Sequence, residues 1–290
     1  MTTASRFLAM CAISVALATS SIASAQTYTT IDFPGAVLTT LNGGPNPAGT
    51  NIGSYTDTGG LTHGFMLKKG VFTSFDPPGS VTTSPNWISP QGVIVGSFID
   101  AGGANHGFIL SGGTYTKLDF PGAAGTVLTS LNPSGQLSGF SCVVASCATV
   151  VHSFLVSKNG AFTSFDPPGA VSSQANTVTP SGTVFGFYVD SAGVGHGYVR
   201  SNGTFTTIDF PGSIFTFVGA GNPKGDCVGE YIDTANVPHS FLLSNGEFTS
   251  FDPPGTGPLG SDAAGINPSG VIVGIYADTS KAVHGYIRTP

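Results

Sequence analysis

A segment of about 44 residues returns six times along this chain. It is marked by Asp32-Phe-Pro-Gly, Asp76-Pro-Pro-Gly, Asp119-Phe-Pro-Gly, Asp166-Pro-Pro-Gly, Asp209-Phe-Pro-Gly and Asp252-Pro-Pro-Gly, at spacings of 44, 43, 47, 43 and 43 residues. The histidines keep the same beat: His63, His106, His152, His196, His239 and His284, with none outside the repeat. A period in this range belongs to propellers, solenoids and arrays, in which one small unit buries its apolar face only against its neighbours. A side chain present six times in equivalent places is also more readily a structural device than a catalyst.

The sixth unit shows how one repeat folds. Ser261–Ile266 can form a short strand, and Asn267-Pro-Ser-Gly270 reads as a reverse turn, with proline presetting φ and glycine free to take a positive φ. The turn recurs as Asn46-Pro-Ala-Gly, Ser89-Pro-Gln-Gly, Asn132-Pro-Ser-Gly, Thr179-Pro-Ser-Gly and Asn222-Pro-Lys-Gly. Val271–Asp278 supplies a second strand and His284–Arg288 a third. In complete units Asn-Gly follows, as at Asn202-Gly203 and Asn245-Gly246, the strongest short hairpin signal. A fourth strand such as Thr204–Asp209 closes the unit before Pro211 and Gly212. Four antiparallel strands per unit, with no helical periodicity, make a propeller blade.

The sequence stops after a third strand and opens, at Thr27–Asp32, with a fourth. The expectation is therefore an all-β, six-bladed β-propeller of four-stranded antiparallel blades, its ring closed by the N-terminal strand, forming a single domain over 26–290. An open solenoid is the rival, but it needs atypical capping repeats. A finer alternation runs through the chain: odd units carry Asp-Phe-Pro-Gly and even units Asp-Pro-Pro-Gly.

Residues 1–25 are expected to be a signal peptide. Arg6 precedes an apolar run from Phe7 to Ala18, and Ala23-Ser24-Ala25 fits a cleavage site. The mature protein would be secreted or periplasmic. No later stretch reaches 18 consecutive apolar residues, so membrane insertion is not expected. A hydrophobic content of 40% against 8% charged is the reverse of a disordered chain. Without Arg6, 8 Lys and Arg face 15 Asp and Glu, a net charge of −7 that argues against nucleic acid as a partner. The protein is expected as a monomer. In an exported protein Cys142 and Cys147, within the insertion of the third unit, read as a disulfide, whereas Cys227 falls on an apolar strand position.

Taken together, His-Gly/Ser-Phe/Tyr, a Gly turn, Phe-Thr-x-Ile/Phe-Asp, Asn-Pro-x-Gly and Val-Gly-x-Tyr-x-Asp resemble the extracellular HAF-repeat proteins of bacteria. The resemblance spans all six units. It implies an exported repeat protein and supplies no catalytic residues.

Alternate connections of an antiparallel blade fall on opposite faces of the disk. Asp32, Asp57, Asp76, Asp100, Asp119, Asp166, Asp190, Asp209, Asp233, Asp252 and Asp278 gather on or near one face, and Lys68, Lys69, Lys158, Arg200 and Lys224 on the other. The acidic face could concentrate a cationic partner, or each Asp could simply cap its own turn. The six histidines, with Asp32, Asp76, Asp119, Asp166, Asp209 and Asp252, are expected to tie strands within each blade. No cofactor is expected, and calcium at Asp57, Asp100 and Asp233 is a weak alternative lacking a dense carboxylate motif.

Positions that break the repeat say more about function. Trp87 is the sole tryptophan, where the other units place Gly44, Ser130, Thr177, Ala220 and Gly265. On a first strand it could stack on a sugar or fill a gap between blades. Glu230 stands where the others place Ser54, Ser97, Phe140, Phe187 and Ile275. Gly-x-Ser-x-Gly, His-Glu-x-x-His and phosphate-binding glycine loops are absent. The reading is an exported binding or scaffold module for a glycan or an extracellular protein, leaning away from an enzyme. Its alternatives are a carbohydrate-active hydrolase or lyase using Glu230 or Asp262, and a structural envelope protein without a small ligand.

Overall fold

The structure, a computed structural model, describes residues 26–290; the expected signal peptide at 1–25 lies outside them. The described residues form strands and tight turns only. After β1 (Thr27–Ile31), the first blade comprises β2 (Leu38–Gly43), β3 (Thr50–Thr56), β4 (Thr62–Lys68) and β5 (Val71–Phe75). The second comprises β6 (Ser80–Ile88), β7 (Ile94–Asp100), β8 (Asn105–Ser111) and β9 (Thr114–Lys117). The third has β10 (Gly125–Leu131), β11 (Leu137–Cys142), β12 (Val151–Val156) and β13 (Phe162–Phe165). The fourth has β14 (Ala170–Val178), β15 (Val184–Asp190), β16 (Gly195–Ser201) and β17 (Thr204–Ile208). The fifth has β18 (Phe215–Gly221), β19 (Cys227–Ile232), β20 (Pro238–Ser244) and β21 (Glu247–Phe251). The sixth has β22 (Thr256–Ile266), β23 (Ile272–Asp278) and β24 (Val283–Thr289).

Every pairing within a blade is antiparallel. The first two blades merge into one eight-stranded sheet through a single parallel bridge, Thr62 to Thr82. The ring closes as the repeat phase predicts: β1 pairs with β24 from Thr27–Thr289 to Ile31–Gly285, completing the sixth blade. The molecule is a β-propeller.

Six small cores lie among the blades. Their centres are the aromatics that follow each His-Gly or His-Ser pair: Phe65, Phe108, Phe154, Tyr198, Phe241 and Tyr286, all essentially without exposure. The Gly/Ser and Phe/Tyr variations are coupled. Tyr198 and Tyr286 direct their buried hydroxyls at Ser153 and Ser240 of the preceding blade, at 3.3 and 3.2 Å. A tyrosine thus appears where a serine can satisfy it.

Each first strand carries a register shift, at Asn42, Asn86, Thr129, Asn176, Gly219 and Ala264, where one residue is left unpaired. These are β-bulges. The bulge drives a first-strand carbonyl against the second strand, which explains the repeated Val-Gly: a Cβ on Gly53 or Gly229 would overlap the carbonyl oxygen of Thr40 or Phe217.

Candidate ligand site in the central channel

The turn chemistry sets the two faces of the disk. Each loop aspartate, Asp57, Asp100, Asp190, Asp233 and Asp278, accepts two backbone N–H bonds through Oδ1 at 2.8–3.0 Å. Those bonds hold the carboxyls low. For Asp57, Asp100, Asp190 and Asp233 the backbone N–H four residues on is the largest cause, and for Asp278 it is the Ser280 hydroxyl. Asp57, Asp100 and Asp233 stand in three different blades, each committed to its own turn. Among the described residues no group of three or more His, Cys, Asp or Glu side chains is placed to hold a metal ion.

All six histidines place Nδ1 2.7–2.9 Å from the aspartate of the following Asp-x-Pro-Gly segment, with His284 reaching Asp32 across the ring closure. Five also bring Nε2 within 3.2–3.6 Å of the loop aspartate. His152 does not, because the Cys142–Cys147 disulfide loop replaces that aspartate. The hydrogen bond to the Asp76 carboxylate raises the His63 pKa; at His284 burial opposes the rise, and the contacts with Asp32 and Asp278 together outweigh it.

The same loop face exposes aliphatic side chains. Val37, Val81, Val171, Ile214 and Leu259 follow the Asp-x-Pro-Gly segments, and Leu61 and Val194 stand in the loops before the histidines.

The first strands of all six blades line a central cavity of about 450 Å³, reached by Asn42, Trp87, Thr129, Asn176, Gly219 and Asp262 among others. Toward the Asn-Pro-x-Gly face it narrows to a second, apolar cavity of about 120 Å³ rimmed by the turn prolines. Trp87 and Thr177 line both cavities and so mark the waist between them. Bulge residues stitch the wall: Asn42, Asn86, Thr129 and Asn176 each donate to a carbonyl of the next blade, at Pro85, Leu128, Ala175 and Val218, over 2.5–3.1 Å. Several turn asparagines repeat the device, Asn46 to Ser89 and Asn132 to Thr179.

Five buried side-chain polar atoms have no hydrogen-bond partner among the described residues, and three of them belong to residues of this channel: Trp87 Nε1, Thr177 Oγ1 and Asp262 Oδ1. The indole also packs on the Val95–Leu128 core, so Trp87 both fills the blade interface and faces the channel. Its equivalent in the first blade is Gly43, not Gly44. Counting back from the turn misplaces it by one, because that blade has an extra residue between bulge and turn; the pairing of Gly43 with Ile52 matches Trp87 with Val95.

Glu230 is half-buried, and burial, then the charge of Asp262, pushes its carboxyl up to about 7. Asp262 keeps a little exposure along the channel, but desolvation of its carboxyl pushes it up to about 6. Cys227 is fully buried, its thiol pushed up to about 12 by desolvation, which makes it a poor nucleophile.

No protein-family model matches the chain, and no curated protein matches its sequence. Solved structures do resemble it. One is the putative TolB from Agrobacterium tumefaciens, with a TM-score of 0.59 and 13% identity over 87% of this chain and 90% of that one. Another is the Aleuria aurantia lectin with alpha-methyl-L-fucoside, at 0.55 and 10% over 88% and 93%. A third is an inactive virginiamycin B lyase from Staphylococcus aureus with quinupristin, at 0.51 and 13% over 91% and 99%. The Aleuria lectin is described as a six-bladed β-propeller. At these identities the likeness is one of fold, and it sets this chain among the β-propellers.

Proposed function

We propose that this protein is an exported binding module whose central channel takes a glycan. The observation that carries the reading is the convergence of unpartnered polar atoms on one cavity. Trp87 Nε1 is a donor, the Thr177 hydroxyl can donate or accept, and Asp262 Oδ1 accepts when ionised. Buried polar groups without partners are costly, and a polyhydroxylated ligand offers both donors and acceptors beside an aromatic ring. The fold likeness to a lectin seen with a fucoside supports the reading without fixing the sugar.

The test is a glycan array probed with residues 26–290, run beside a polysaccharide degradation screen. Binding weakened at least tenfold by Thr177→Val or Trp87→Ala, roughly the loss of one hydrogen bond or stacking contact, is expected. Turnover that disappears in Glu230→Gln would replace the binding reading with a hydrolase or lyase.

A protein ligand on the loop face is a second reading, favoured by the aliphatic side chains exposed among the aspartates there. It predicts binding insensitive to Thr177→Val but lost on changing Val81 and Val171 to Asp.

A further inference from the structure

The wall of the channel is not uniform. Four bulge residues span to the next blade with a side-chain donor, but the fifth and sixth blades carry Gly219 and Ala264 at that place, which have none. A Cβ on Gly219 would stand 2.9 Å from the carbonyl oxygen of Ala263. This sector is therefore short of side-chain donors and faced by a backbone acceptor.

The same sector holds the acid pair. Between the fourth and fifth blades, Phe187 of a second strand packs on Phe217 of the next first strand, their centroids 5.2 Å apart. One blade further on, the register puts Glu230 at the position of Phe187 and Asp262 at that of Phe217. The places of that apolar pair are taken by two carboxyls, near enough for the charge of Asp262 to act on Glu230. Neither side chain makes a hydrogen bond or an ion pair among the described residues, and Asp262 Oδ1 is both buried and unpartnered. Tyr286, which the charge of Asp262 reaches, spends its hydroxyl on Ser240. Two neighbouring carboxyls without a cation repel when both are ionised.

We propose that the sector between the fifth and sixth blades takes a protonated amine, so that the channel's ligand is an amino sugar whose ammonium seats against Glu230 and Asp262. An ammonium offers three donors and no acceptor, which matches the unpartnered Asp262 carboxyl on the channel wall with the Glu230 carboxyl and the Ala263 carbonyl beside it. A calcium ion fits less well, since it takes six to eight oxygens. Trp87, on the first strand of the second blade, supplies an aromatic surface in the same cavity for the body of the sugar. The proposal rests on the channel being the ligand site.

The experiment compares a glucosamine tetramer with its fully N-acetylated counterpart by calorimetry at pH 7, on the parent chain, Asp262→Asn, Glu230→Gln and Trp87→Ala. The parent should bind the amine form at least tenfold more tightly, the increment of one charge-assisted hydrogen bond over a neutral one. Asp262→Asn and Glu230→Gln should erase that preference while still binding the acetylated form, and Trp87→Ala should weaken both. Melting curves confirm that each variant folds. Equal or tighter binding of the acetylated form by the parent overturns the amine proposal and leaves the glycan channel standing. Binding of neither, or of both without any effect of Trp87→Ala, overturns the channel reading and the amine proposal with it. Free lysine or putrescine matching the tetramer would assign the ammonium to a simple amine and overturn the amino-sugar identity.

Discussion

At the scale of single residues, the alternation between odd and even units comes down to one hydrogen atom. In odd units the N–H of Phe33, Phe120 or Phe210 donates to a threonine hydroxyl at Thr39, Thr126 or Thr216, at 2.8–3.0 Å. Proline has no N–H. In even units the equivalent hydroxyl of Thr83, Ser173 or Ser261 turns instead to the Asp carboxylate, donating to Asp76, Asp166 or Asp252 at 2.6–2.7 Å. The dipeptide alternation was plain in the sequence; this exchange of partners was not, because the hydroxyl lies seven to nine residues away.

The histidine contacts are partly exposed, with imidazoles at 17–41% and their Nδ1 partners at 30–54%, so each replacement by alanine should destabilise by roughly 1 kcal/mol or less. His152→Ala, lacking the second aspartate, should cost least, as chemical denaturation of the six variants would show. The acid pair should act oppositely. Glu230 and Asp262 have folded-state pKa values raised to about 7 and about 6, so folding favours their protonated forms. That stability is full below the ordinary carboxylate range and is lost as pH rises through 6 to 7. The double variant Glu230→Gln with Asp262→Asn should therefore be more stable than the parent at pH 8, by on the order of 2 kcal/mol, and its melting temperature should fall less between pH 5 and 8. The raised His63 and His284 lose stability in the same direction, so a shallow slope should remain. An unaltered slope in the double variant would count against the acid pair.

At the scale of elements, turns and strands were legible because their chemistry is local. Asn-Pro-x-Gly, Asn-Gly and Asp-x-Pro-Gly each name their own backbone geometry, and the disulfide loop announced itself as an insertion. The bulges were hidden, since a bulge is a property of pairing between two strands. Their mark is nevertheless present in the sequence: Asn42, Asn86 and Asn176 recur on first strands. Ring closure by β1 is the element-level claim with the largest consequence. Deleting residues 26–32 removes the pairing from Thr27–Thr289 to Ile31–Gly285 and bares the edge of β24. Stability should drop by several kcal/mol, at roughly 1 kcal/mol per hydrogen bond plus lost burial, and the open edge should promote association. A deletion variant that melts with the parent and stays unassociated would mean that closure contributes little.

At the scale of the whole molecule, six near-identical units build a ring whose interest lies where they differ. Two such places, Trp87 and Glu230, stand out in the sequence, with Asp262 legible as a carboxylate. Thr177 is an ordinary residue whose orphaned hydroxyl matters only once six strands enclose a channel. Gly219 and Ala264 leave one sector of the wall without side-chain donors, and small residues are unremarkable until the neighbouring donors are known. The single tryptophan makes the central claim directly measurable. Titrating the protein with an array-identified glycan while following Trp87 emission should give a saturable change whose midpoint matches the affinity from calorimetry. Saturable binding that leaves the emission unchanged would place the ligand outside the channel and contradict the account.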